Sequence, residues 1–482
     1  MRKFYDQQVM QKGRTRLWHV MRPVLGRKQS QSPSLDITPD ALNDYYVSVG
    51  PLTAASVPPA TAPIPVRLTR VITSAFKVHP IDIHTLHATV LSMKPSSNCG
   101  LDGLSISMFK KLFVYIGFFL LDIINCSLAS GIVPTSWKHA LVIPIPKGRS
   151  SNEPSDTRPI SLQPAVMKLL EKVVQCQLAG YLEDNHILSD AQHGYRKNFS
   201  TETALNVISD KALQAMDDGK VSILVLLDLS KMFDVVPHEK LLDKMALYGI
   251  DTTWFKHYLS GHTQQVQVKT NGNSIMSRSK SNDMGIYQGG SLSCLLAMIF
   301  MNDLSLFVDD DVTVVTYADD TQVIISGKKQ ELPSIISRIE NAIHSLFQWF
   351  CFNGMKVNSA KTQMIVLGTP AMLRSLPNVT INFCGNIIVD SKVVKNIGVM
   401  LDRHLNFEHH VSTIQNKATG ILIALNNARH VIPKRLMPAI VQGLVISIIR
   451  YCICIYGSCG TTQTHRIKKM LNFCARVVSG SG

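Results

Sequence analysis

The chain has 482 residues, of which 45% are hydrophobic and 17% are charged. This composition indicates a globular protein rather than a disordered one, and the length allows roughly two to four structural units. Lysine and arginine number 49 against 34 aspartates and glutamates, which gives a net charge of +15. A positive field of this size favours a polyanionic partner such as nucleic acid.

The basic excess is concentrated at the two ends of the chain. Residues 1–28 contain eight basic residues and one acidic residue, and residues 403–482 contain ten basic residues and one acidic residue. Nearly all of the acidic residues therefore lie in the middle, as expected for basic flanks around an acidic, metal-binding centre. A solubilising surface is the alternative explanation of this charge.

The ten cysteines are scattered, without a Cys-x-x-Cys pair. Their spacing argues against a structural zinc site and a disulfide framework, and it fits a reducing compartment. The N-terminus lacks the apolar core of a signal peptide. The longest apolar run, residues 112–121, is too short to span a bilayer. The sequence therefore predicts a soluble intracellular protein, in the nucleus or the cytoplasm, without a membrane partner.

Residues 1–66 are predicted to form a basic N-terminal segment, interpreted as a helix and connector over residues 1–50, and a flexible linker. The linker, at 51–65, is rich in Pro, Ala, Ser and Thr. Order is expected to begin near Arg67. The predicted elements that follow are a helix at 81–91, a turn at 96–103, helices at 105–115 and 117–130, a strand at 140–145, and amphipathic helices at 166–184 and 200–218.

The middle of the chain alternates helices with short strands, which predicts the α+β class, and the tail from residue 408 is predicted to be helical. An apolar strand at 221–227 ends at Asp228, and two β-rich runs form a hairpin around residues 317–321. The remaining predicted elements are helices at 240–248 and 332–352 and short strands around 364–367, 379–383 and 397–400.

Two features of this middle region indicate chemistry from the residues alone. The apolar strand delivers Asp228 at its end, and the hairpin presents Asp319 and Asp320 side by side. Adjacent carboxylates repel each other unless a cation neutralises them, and hard oxygen ligands favour Mg²⁺ or Mn²⁺. Two such ions can activate an attacking hydroxyl and stabilise departing pyrophosphate. Because aspartate also favours turns, a purely structural role for the pair is the alternative.

Seven short motifs, in order within residues 80–480, resemble those of reverse transcriptases of non-LTR (LINE-type) retrotransposons. The most characteristic is the tetrad Tyr317-Ala318-Asp319-Asp320 between two β-rich runs. The others are RPISL at 158–162, QHGYRK at 192–197, LDLSKMFD at 227–234, GIYQGGSL at 285–292 with MNDL at 301–304, NSAKT at 358–362 and NIGVMLD at 396–402.

The resemblance implies a two-metal catalytic site. Asp228, Asp319 and Asp320 would hold two Mg²⁺ or Mn²⁺ ions, and the carbonyl of Leu229 would supply a further oxygen ligand. Lys361 matches the lysine proposed to protonate the departing pyrophosphate. An ordinary surface lysine is the alternative for Lys361.

The resemblance also implies a nucleotide site. Lys147 and Arg158 would hold the triphosphate, for which a guanidinium offers a matching planar fork. Phe233 would exclude a ribose 2′-OH and so select dNTPs, although a core aromatic is the alternative. Gln288 and Gly289 would lie against the template and the incoming nucleotide, where a small residue allows close backbone approach.

Two positions depart from the family pattern. Tyr287 stands where the family usually has proline, and Thr157 stands where it usually has an aromatic before Arg158. Tyr287 is expected to shift the backbone next to Gln288, which suggests a divergent or decaying element. The usual N-terminal endonuclease and a ribonuclease H motif have no counterpart in the sequence. The sequence stops at residues 477–482, inside what resembles the helical region after the palm, so a C-terminal truncation is expected.

The resemblance implies a right-hand polymerase, with antiparallel sheet in its fingers and palm. The predicted division is fingers at 67–215, palm at 216–402 and a helical thumb-like region at 403–482, with the reverse transcriptase domain at about 125–402. Its partners would be an RNA template, a DNA primer or target DNA, and dNTPs. Two alternatives stay open: an inactive remnant that only binds RNA, and an RNA-directed RNA polymerase. Phe233 and Ala318 argue against the second, since such enzymes usually carry Asp and Gly there.

Overall fold

The computed structural model shows a mixed α+β protein with several sheets and a helical C-terminal region. The predicted basic cluster at residues 1–28 lies outside the described residues. The structure describes residues 37–68, 74–147, 153–270, 273–430, 432–457 and 459–480.

Helices dominate the described chain before residue 218. Each of the first three begins after a polar residue whose side chain accepts a hydrogen bond from a backbone N–H of the first turn. These capping residues are Thr38, Asp82 and Ser105 respectively. These elements are α1 (Pro39–Ala55), α2 (Ile83–Ser92), α3 (Ile106–Ser130), β1 (His139–Pro146), β2 (Thr157–Leu162), α4 (Ala165–Asp184) and α5 (Thr201–Asp217).

Most of the strands lie in the next section of the chain. They are connected by short helices and close turns, so that strands and helices alternate as predicted. These elements are β3 (Lys220–Leu227), β4 (Leu229–Ser230), α6 (Met232–Val235), α7 (His238–Leu247), α8 (Thr253–Leu259), β5 (Thr263–Thr270), β6 (Asn273–Met276), β7 (Lys280–Ser281), α9 (Ser291–Met301), β8 (Thr313–Tyr317), β9 (Asp320–Lys328), α10 (Leu332–Phe352), β10 (Lys356–Val357), β11 (Gln363–Leu367), α11 (Pro370–Arg374), β12 (Thr380–Phe383), β13 (Asn386–Val389), β14 (Val393–Asn396) and β15 (Val399–Asp402).

The central sheet is antiparallel, with strand order β11-β3-β9-β8. Its strands are apolar because both faces are covered. Ile223 and Val225 point into one hydrophobic core, whereas Leu224 points into a second core on the opposite face. Helix α10 packs against β9, and α5 packs against β3, β8 and β9. The predicted strand, hairpin and long helix of this region are confirmed.

A second, outer sheet has the strand order β2-β1-β5-β6, with β7 paired to β5. Strands β1 and β5 run parallel, although β5 lies more than a hundred residues later in the chain. Strands β5 to β7 fall within the range predicted as palm, yet β5 pairs with β1 from the range predicted as fingers. The boundary at residue 215 therefore stays a prediction.

The region after residue 402 is helical, as predicted. Its helices share a hydrophobic core with α5 and the central sheet, and α12 packs against α16. The elements are α12 (Glu408–Asn427), α13 (Met437–Val441), a π-helical turn (Gln442–Ile446), α14 (Ser447–Arg450), α15 (Ile453–Tyr456) and α16 (Thr461–Ser479).

Two predictions of local structure are wrong. Residues 51–55, assigned to the flexible linker, form the end of α1, whose buried Leu42 and Tyr46 pack against the outer sheet. Such packing outweighs the weak local preference of a Pro- and Ala-rich segment. The two helices predicted at 105–115 and 117–130 are one helix, α3, whose Gly117 is buried in its interior. Tertiary packing again overrides the propensity of glycine to end a helix.

Helix α3 also changes the expectation about membranes. At 25 residues it is long and apolar enough to cross a bilayer, and one such helix is found among the described residues. One face packs into the core through residues such as Leu120 and Ile124, while Phe118 and Phe119 on another face are exposed. A single helix of this kind also occurs in the cores of water-soluble proteins, so it does not establish a membrane span.

Candidate active site

The hairpin between β8 and β9 turns within two residues, Ala318 and Asp319. Tyr317 and Asp320 pair across its base. Ala318 has a φ of 58°, a left-handed conformation that costs an L-residue about 1–2 kcal/mol. The surrounding structure must hold this turn, because nothing in the local sequence favours it.

Gln192 holds the turn from the side. Its Oε1 accepts hydrogen bonds from the backbone N–H groups of Gly194 (2.7 Å) and Ala318 (3.2 Å). The backbone N–H of His193 also donates to the Thr316 carbonyl at 2.8 Å. A Cβ on Gly194 would lie 2.4 Å from the nitrogen of Ala318, so only glycine fits there. The QHGYRK motif thus braces the turn that presents Asp319.

Asp228 reaches the same place from the neighbouring strand. Strand β3 ends at Leu227, which pairs with Thr321 on β9, so Asp228 leaves the central sheet beside Asp320. The carbonyl of Asp228 accepts a hydrogen bond from the backbone N–H of Asn358 at 2.8 Å. The register of the sheet therefore gathers Asp228, Asp319 and Asp320 at one edge, which we call the acidic edge.

The carboxylates of the acidic edge interact electrostatically. Burial raises the pKa of Asp319, and the charge of Asp228 raises it further. Burial, followed by the charges of Asp319 and Asp228, raises the pKa of Asp320 to about 6. Both shifts show that the carboxylates lie close enough for ionisation of one to oppose ionisation of the next.

Lys361 lies next to the acidic edge. It ends a short 3₁₀ turn, Ser359–Lys361, which follows β10. Its Nζ is 3.5 Å from Oδ2 of Asp228. Both side chains are substantially exposed, so the ion pair adds little to stability. Its position matters more than its energy, because it places an ammonium group beside the acidic edge.

The donor set of the acidic edge fits a divalent cation. Its ligands are carboxylate oxygens, which suit Mg²⁺ or Mn²⁺, and their repulsion is relieved by a bound cation. In the described part of the chain, no three His, Cys, Asp or Glu side chains already converge as a metal cage. The ions would have to draw the carboxylates inward. Leu229 lies in β4 directly after Asp228, and its carbonyl as a ligand stays a prediction.

Beside the acidic edge lies a pocket of about 160 Å³, which we call the cationic pocket. Burial lowers the pKa of Lys147, and so do the charges of Lys231, Arg158 and Lys361. Basic groups that repel one another in this way attract an anion. The pocket is lined by Tyr45, Tyr46, Val49, Lys147, Ser155, Thr157, Arg158, Pro159, Lys231, Asp234 and Gln288.

The floor of the cationic pocket connects to the predicted sugar-selecting residue. Nε2 of Gln288 donates to Oδ1 of Asp234 at 3.0 Å, and burial raises the pKa of Asp234. Phe233 lies in a small neighbouring cavity that shares Tyr46, Asp234 and Gln288 with the cationic pocket. The structure therefore brings Phe233 and Gln288 together with the two predicted triphosphate ligands.

The loop that carries Gln288 is held by a buried carboxylate. Gly289 has a φ of 110°, which favours glycine, and a Cβ on Gly290 would lie 2.8 Å from Oε2 of Glu171. Glu171 is fully buried and accepts hydrogen bonds from the N–H of Ser291 (3.0 Å) and the hydroxyl of Tyr258 (2.8 Å). Burial raises the pKa of Glu171. Glu171 thus fixes the start of α9 and the loop before it.

Of the two departures from the family pattern, Thr157 is buried and Tyr287 is half-buried. Tyr287 packs edge-on against His262, with ring centroids 4.6 Å apart, and its hydroxyl has no hydrogen-bond partner among the described residues. Thr157 accepts or donates a hydrogen bond with the hydroxyl of Tyr46 at 2.5 Å. Sequence reasoning identified Tyr287 and Thr157 as unusual, but their partners were not predictable from the local pattern.

Sequence reasoning missed several residues that shape the site. Gln192, Glu171 and Lys231 were not assigned roles, and α1 was not predicted to approach the site. Glu171 had a detectable signal, because it is a carboxylate on the apolar face of an amphipathic helix. Such a residue is rarely buried without a partner. For α1, Thr38 followed by Pro39 is a local signal for a helix start, but nothing in the sequence indicated that the helix approaches the site.

Comparison with known proteins agrees with this geometry. Residues 145–401, more than half of the chain, match the family model "Reverse transcriptase (RNA-dependent DNA polymerase)". Similar proteins include the RNA-directed DNA polymerase from mobile element jockey of Drosophila melanogaster, with 28% identity over 62% of this chain and 32% of the relative. The probable polymerase from transposon BS of the same species shows 26% identity over 83% and 45% respectively.

A third relative from Drosophila melanogaster is the probable RNA-directed DNA polymerase from transposon X-element. It is 24% identical over 72% of this chain and 38% of the relative. The alignments with these relatives span less than half of their length. Through the matched region, this chain belongs to the reverse transcriptase family and is related to the polymerases of jockey-like non-LTR retrotransposons.

Proposed function

We propose that the chain is an RNA-directed DNA polymerase of a non-LTR retrotransposon, which transfers nucleotides from dNTPs to a primer 3′-OH with two divalent metals. The observation that carries the proposal is the placement of the acidic edge beside the cationic pocket. A carboxylate group for metals and a cationic site for a triphosphate are the two parts that nucleotidyl transfer needs. Two polymerases named among the relatives support the same activity.

Each part of the site has a defined task in this reaction. Two ions held by Asp228, Asp319 and Asp320, with the Leu229 carbonyl, would supply Lewis acidity to the attacking hydroxyl and to the triphosphate. Lys361 would give a proton to the departing pyrophosphate, a role supported by the 3.5 Å distance between its Nζ and Oδ2 of Asp228. Proton transfer by a placed side chain commonly contributes about 10²–10⁴-fold to a rate.

The cationic pocket would orient the nucleotide. Lys147 and Arg158 would bind the triphosphate, and Gln288 with Gly289 would lie beneath the base pair that forms. Phe233 would exclude the 2′-OH of a ribonucleotide. Most of the catalysis would come from positioning and charge neutralisation, as in phosphoryl transfer generally.

The proposed architecture is that of a right-hand polymerase. The outer sheet with α2 to α4 would form the fingers, the central sheet the palm, and the helices after residue 402 a thumb-like region. The RNA template and the DNA primer would lie across these parts, bound largely through backbone phosphates by basic side chains. We propose that the protein works inside the cell, where its nucleic acid partners are.

Primer extension tests the proposal directly. The purified chain is given an RNA template, a DNA primer, dNTPs and Mg²⁺, and products are resolved by length. We expect extension that EDTA abolishes. Asp310→Asn, an exposed aspartate of the loop before β8, serves as a matched control and should extend like the wild type.

The alternatives give different outcomes. A folded chain that binds the primer–template but extends nothing in Mg²⁺ or Mn²⁺ would identify an RNA-binding remnant. Extension with rNTPs as readily as with dNTPs would identify an RNA polymerase. Either result would overturn the proposed function.

A further inference from the structure

Helix α1 is firmly attached to the outer sheet. Asn43 is fully buried, and its Nδ2 donates to the Arg278 carbonyl at 2.8 Å, while its Oδ1 accepts from Nε2 of Gln264 at 2.9 Å. Leu42 and Tyr46 pack in a small hydrophobic cluster with Val142 and neighbouring strand residues. Buried polar groups with complete hydrogen bonds fix one orientation of the helix.

The helix also touches the segment that carries the predicted sugar-selecting residue. A Cβ on Gly50 would lie 2.3 Å from the carbonyl oxygen of Asp234, so only glycine allows the helix to approach this closely. Asp234 follows Phe233 directly in α6. Helix α1 therefore packs directly against the proposed nucleotide site and is not a peripheral connector.

Two contacts join α1 to the segments that carry the cations of the pocket. The hydroxyl of Tyr45 accepts a hydrogen bond from Nζ of Lys231 at 2.7 Å. The hydroxyl of Tyr46 bonds to Oγ1 of Thr157 at 2.5 Å, and that oxygen donates to the Pro154 carbonyl at 2.6 Å. Tyr45, Tyr46 and Val49 form one wall of the cationic pocket.

Thr157 is placed to transmit this contact. It begins β2 directly before Arg158 and pairs with Pro146, the residue before Lys147. The N–H of Lys147 donates to the carbonyl of Asp156 at 2.7 Å. The contact with Tyr46 therefore anchors the strand pair at the point where both triphosphate-binding residues project.

We propose that α1 forms a wall of the nucleotide pocket and that Tyr46, through Thr157, is a positioning residue that sets Arg158 and Lys147 for the triphosphate. Tyr45 positions Lys231 in the same way. The proposal rests on the proposed function for the identity of the ligand, a nucleoside triphosphate. It gives a task to a segment that lies outside the motifs of the family. It also gives threonine at 157 a task, because its hydroxyl is the partner of the Tyr46 hydroxyl and the usual aromatic side chain would not provide one at that position.

Conservative variants separate positioning from folding. Tyr46→Phe removes one hydroxyl, Thr157→Val removes the partner, and Thr157→Ser keeps the partner. We expect Tyr46→Phe and Thr157→Val each to raise KM for dNTP by about three- to tenfold, the loss of one hydrogen bond. The rate constant kcat and the affinity for primer–template should stay unchanged in both variants. Thr157→Ser, which keeps the hydroxyl, should have the KM of the wild type.

Two controls sharpen the test. Tyr115→Phe, an exposed tyrosine of α3, should leave KM unchanged. Both substitutions remove the bond between Tyr46 and Thr157, and Thr157→Val also removes the bond to the Pro154 carbonyl. The double variant Tyr46→Phe/Thr157→Val should therefore show little more effect than Thr157→Val alone. An unchanged KM in Tyr46→Phe, or equal losses in kcat, KM and primer–template affinity, would overturn the proposal.

A second measurement does not need turnover. The full chain is irradiated with a photoreactive azido-dATP, digested, and the labelled peptides are identified, with unmodified dATP as competitor. We expect competed labelling within residues 39–55. Labelling of α1 by a chain that extends no primer would refute the proposed polymerase activity while supporting the nucleotide wall. Primer extension by a chain that is labelled only outside residues 39–55, or absence of any competed labelling, would overturn the proposal that α1 forms a wall of the nucleotide pocket.

Discussion

The acidic edge and the cationic pocket lie side by side but are built in different ways. The acidic edge takes its three carboxylates from β3 and from the hairpin β8–β9, strands that are hydrogen-bonded to each other. The cationic pocket takes its lining from five segments spread between residues 45 and 288. One depends on strand register, whereas the other depends on how separate segments dock.

This difference determines how each region responds to change. Strand register is fixed by the side chains that pack on the two faces of β3, so a one-residue slip would move Ile223 and Val225 from one hydrophobic core into the other. The acidic edge is therefore geometrically robust but electrostatically strained. The cationic pocket has the opposite character, because its geometry depends on individual contacts, such as that of Tyr45 with Lys231 and that of Tyr46 with Thr157 beside Arg158. We expect substitutions in the edge to abolish the chemistry and substitutions in the pocket to weaken nucleotide binding.

The largest effect is expected for Asp319→Asn. Loss of one carboxylate removes a metal ligand, so primer extension should fall below detection. The protein should remain folded, since the substitution removes charge repulsion rather than packing. Extension assays together with circular dichroism check this result. Near-normal extension by a well-folded variant would show that the hairpin pair is structural.

A smaller effect is expected at the boundary between the two regions. Phe233→Val should raise the specificity constant for rNTPs, because a smaller side chain leaves space for the 2′-OH. The specificity constant for dNTPs should fall by a smaller factor. An unsatisfied hydroxyl costs about 1–3 kcal/mol, which corresponds to roughly five- to a hundredfold in the ratio of specificity constants. Steady-state incorporation of dCTP and rCTP on one template measures this ratio. An unchanged ratio would make Phe233 a core residue.

The smallest effect concerns stability and pH. The pKa of Asp320 is about 6 in the folded protein against 3.8 for an ordinary aspartate. The folded state therefore binds a proton that the unfolded chain does not hold in this window, and the stabilisation it gives is lost as pH rises through about 6. In metal-free buffer, wild type should gain stability relative to Asp320→Asn as the pH falls from about 7 to about 5.

Urea unfolding of both proteins at several pH values measures this change. Mg²⁺ at neutral pH should stabilise the wild type more than the variant, because the cation relieves the same repulsion and binds the folded state. A difference in unfolding free energy that is independent of pH would show that burial and the neighbouring carboxylates do not raise the pKa of Asp320.

The contrast also explains what the sequence could predict. Asp228, Asp319 and Asp320 were identifiable because each lies at the end of a strand or in a turn, where local pattern is informative. Lys147, Arg158 and Gln288 required the family resemblance, since a lone basic residue in a loop has no local signature. The role of Gln192 could not be predicted, because it depends on a contact with Ala318, which lies 126 residues away.

Helix α1 shows the limit of local reasoning most clearly. Its Pro- and Ala-containing end resembles a linker, and its helical state depends on packing of Leu42 and Tyr46 against strands that follow much later. Likewise, the single helix α3 continues through Gly117 because one of its faces is buried. In both cases long-range packing, which no window of sequence contains, decided the structure.

Direct measurement of metal binding tests the central claim, that the acidic edge holds divalent cations. Mn²⁺ is titrated into the full chain in the presence of primer–template and dNTP, and free Mn²⁺ is followed by electron paramagnetic resonance. We expect wild type and Asp310→Asn to bind two ions, and Asp228→Asn and Asp319→Asn to lose at least one of them. Equal Mn²⁺ binding by all four proteins would contradict the account.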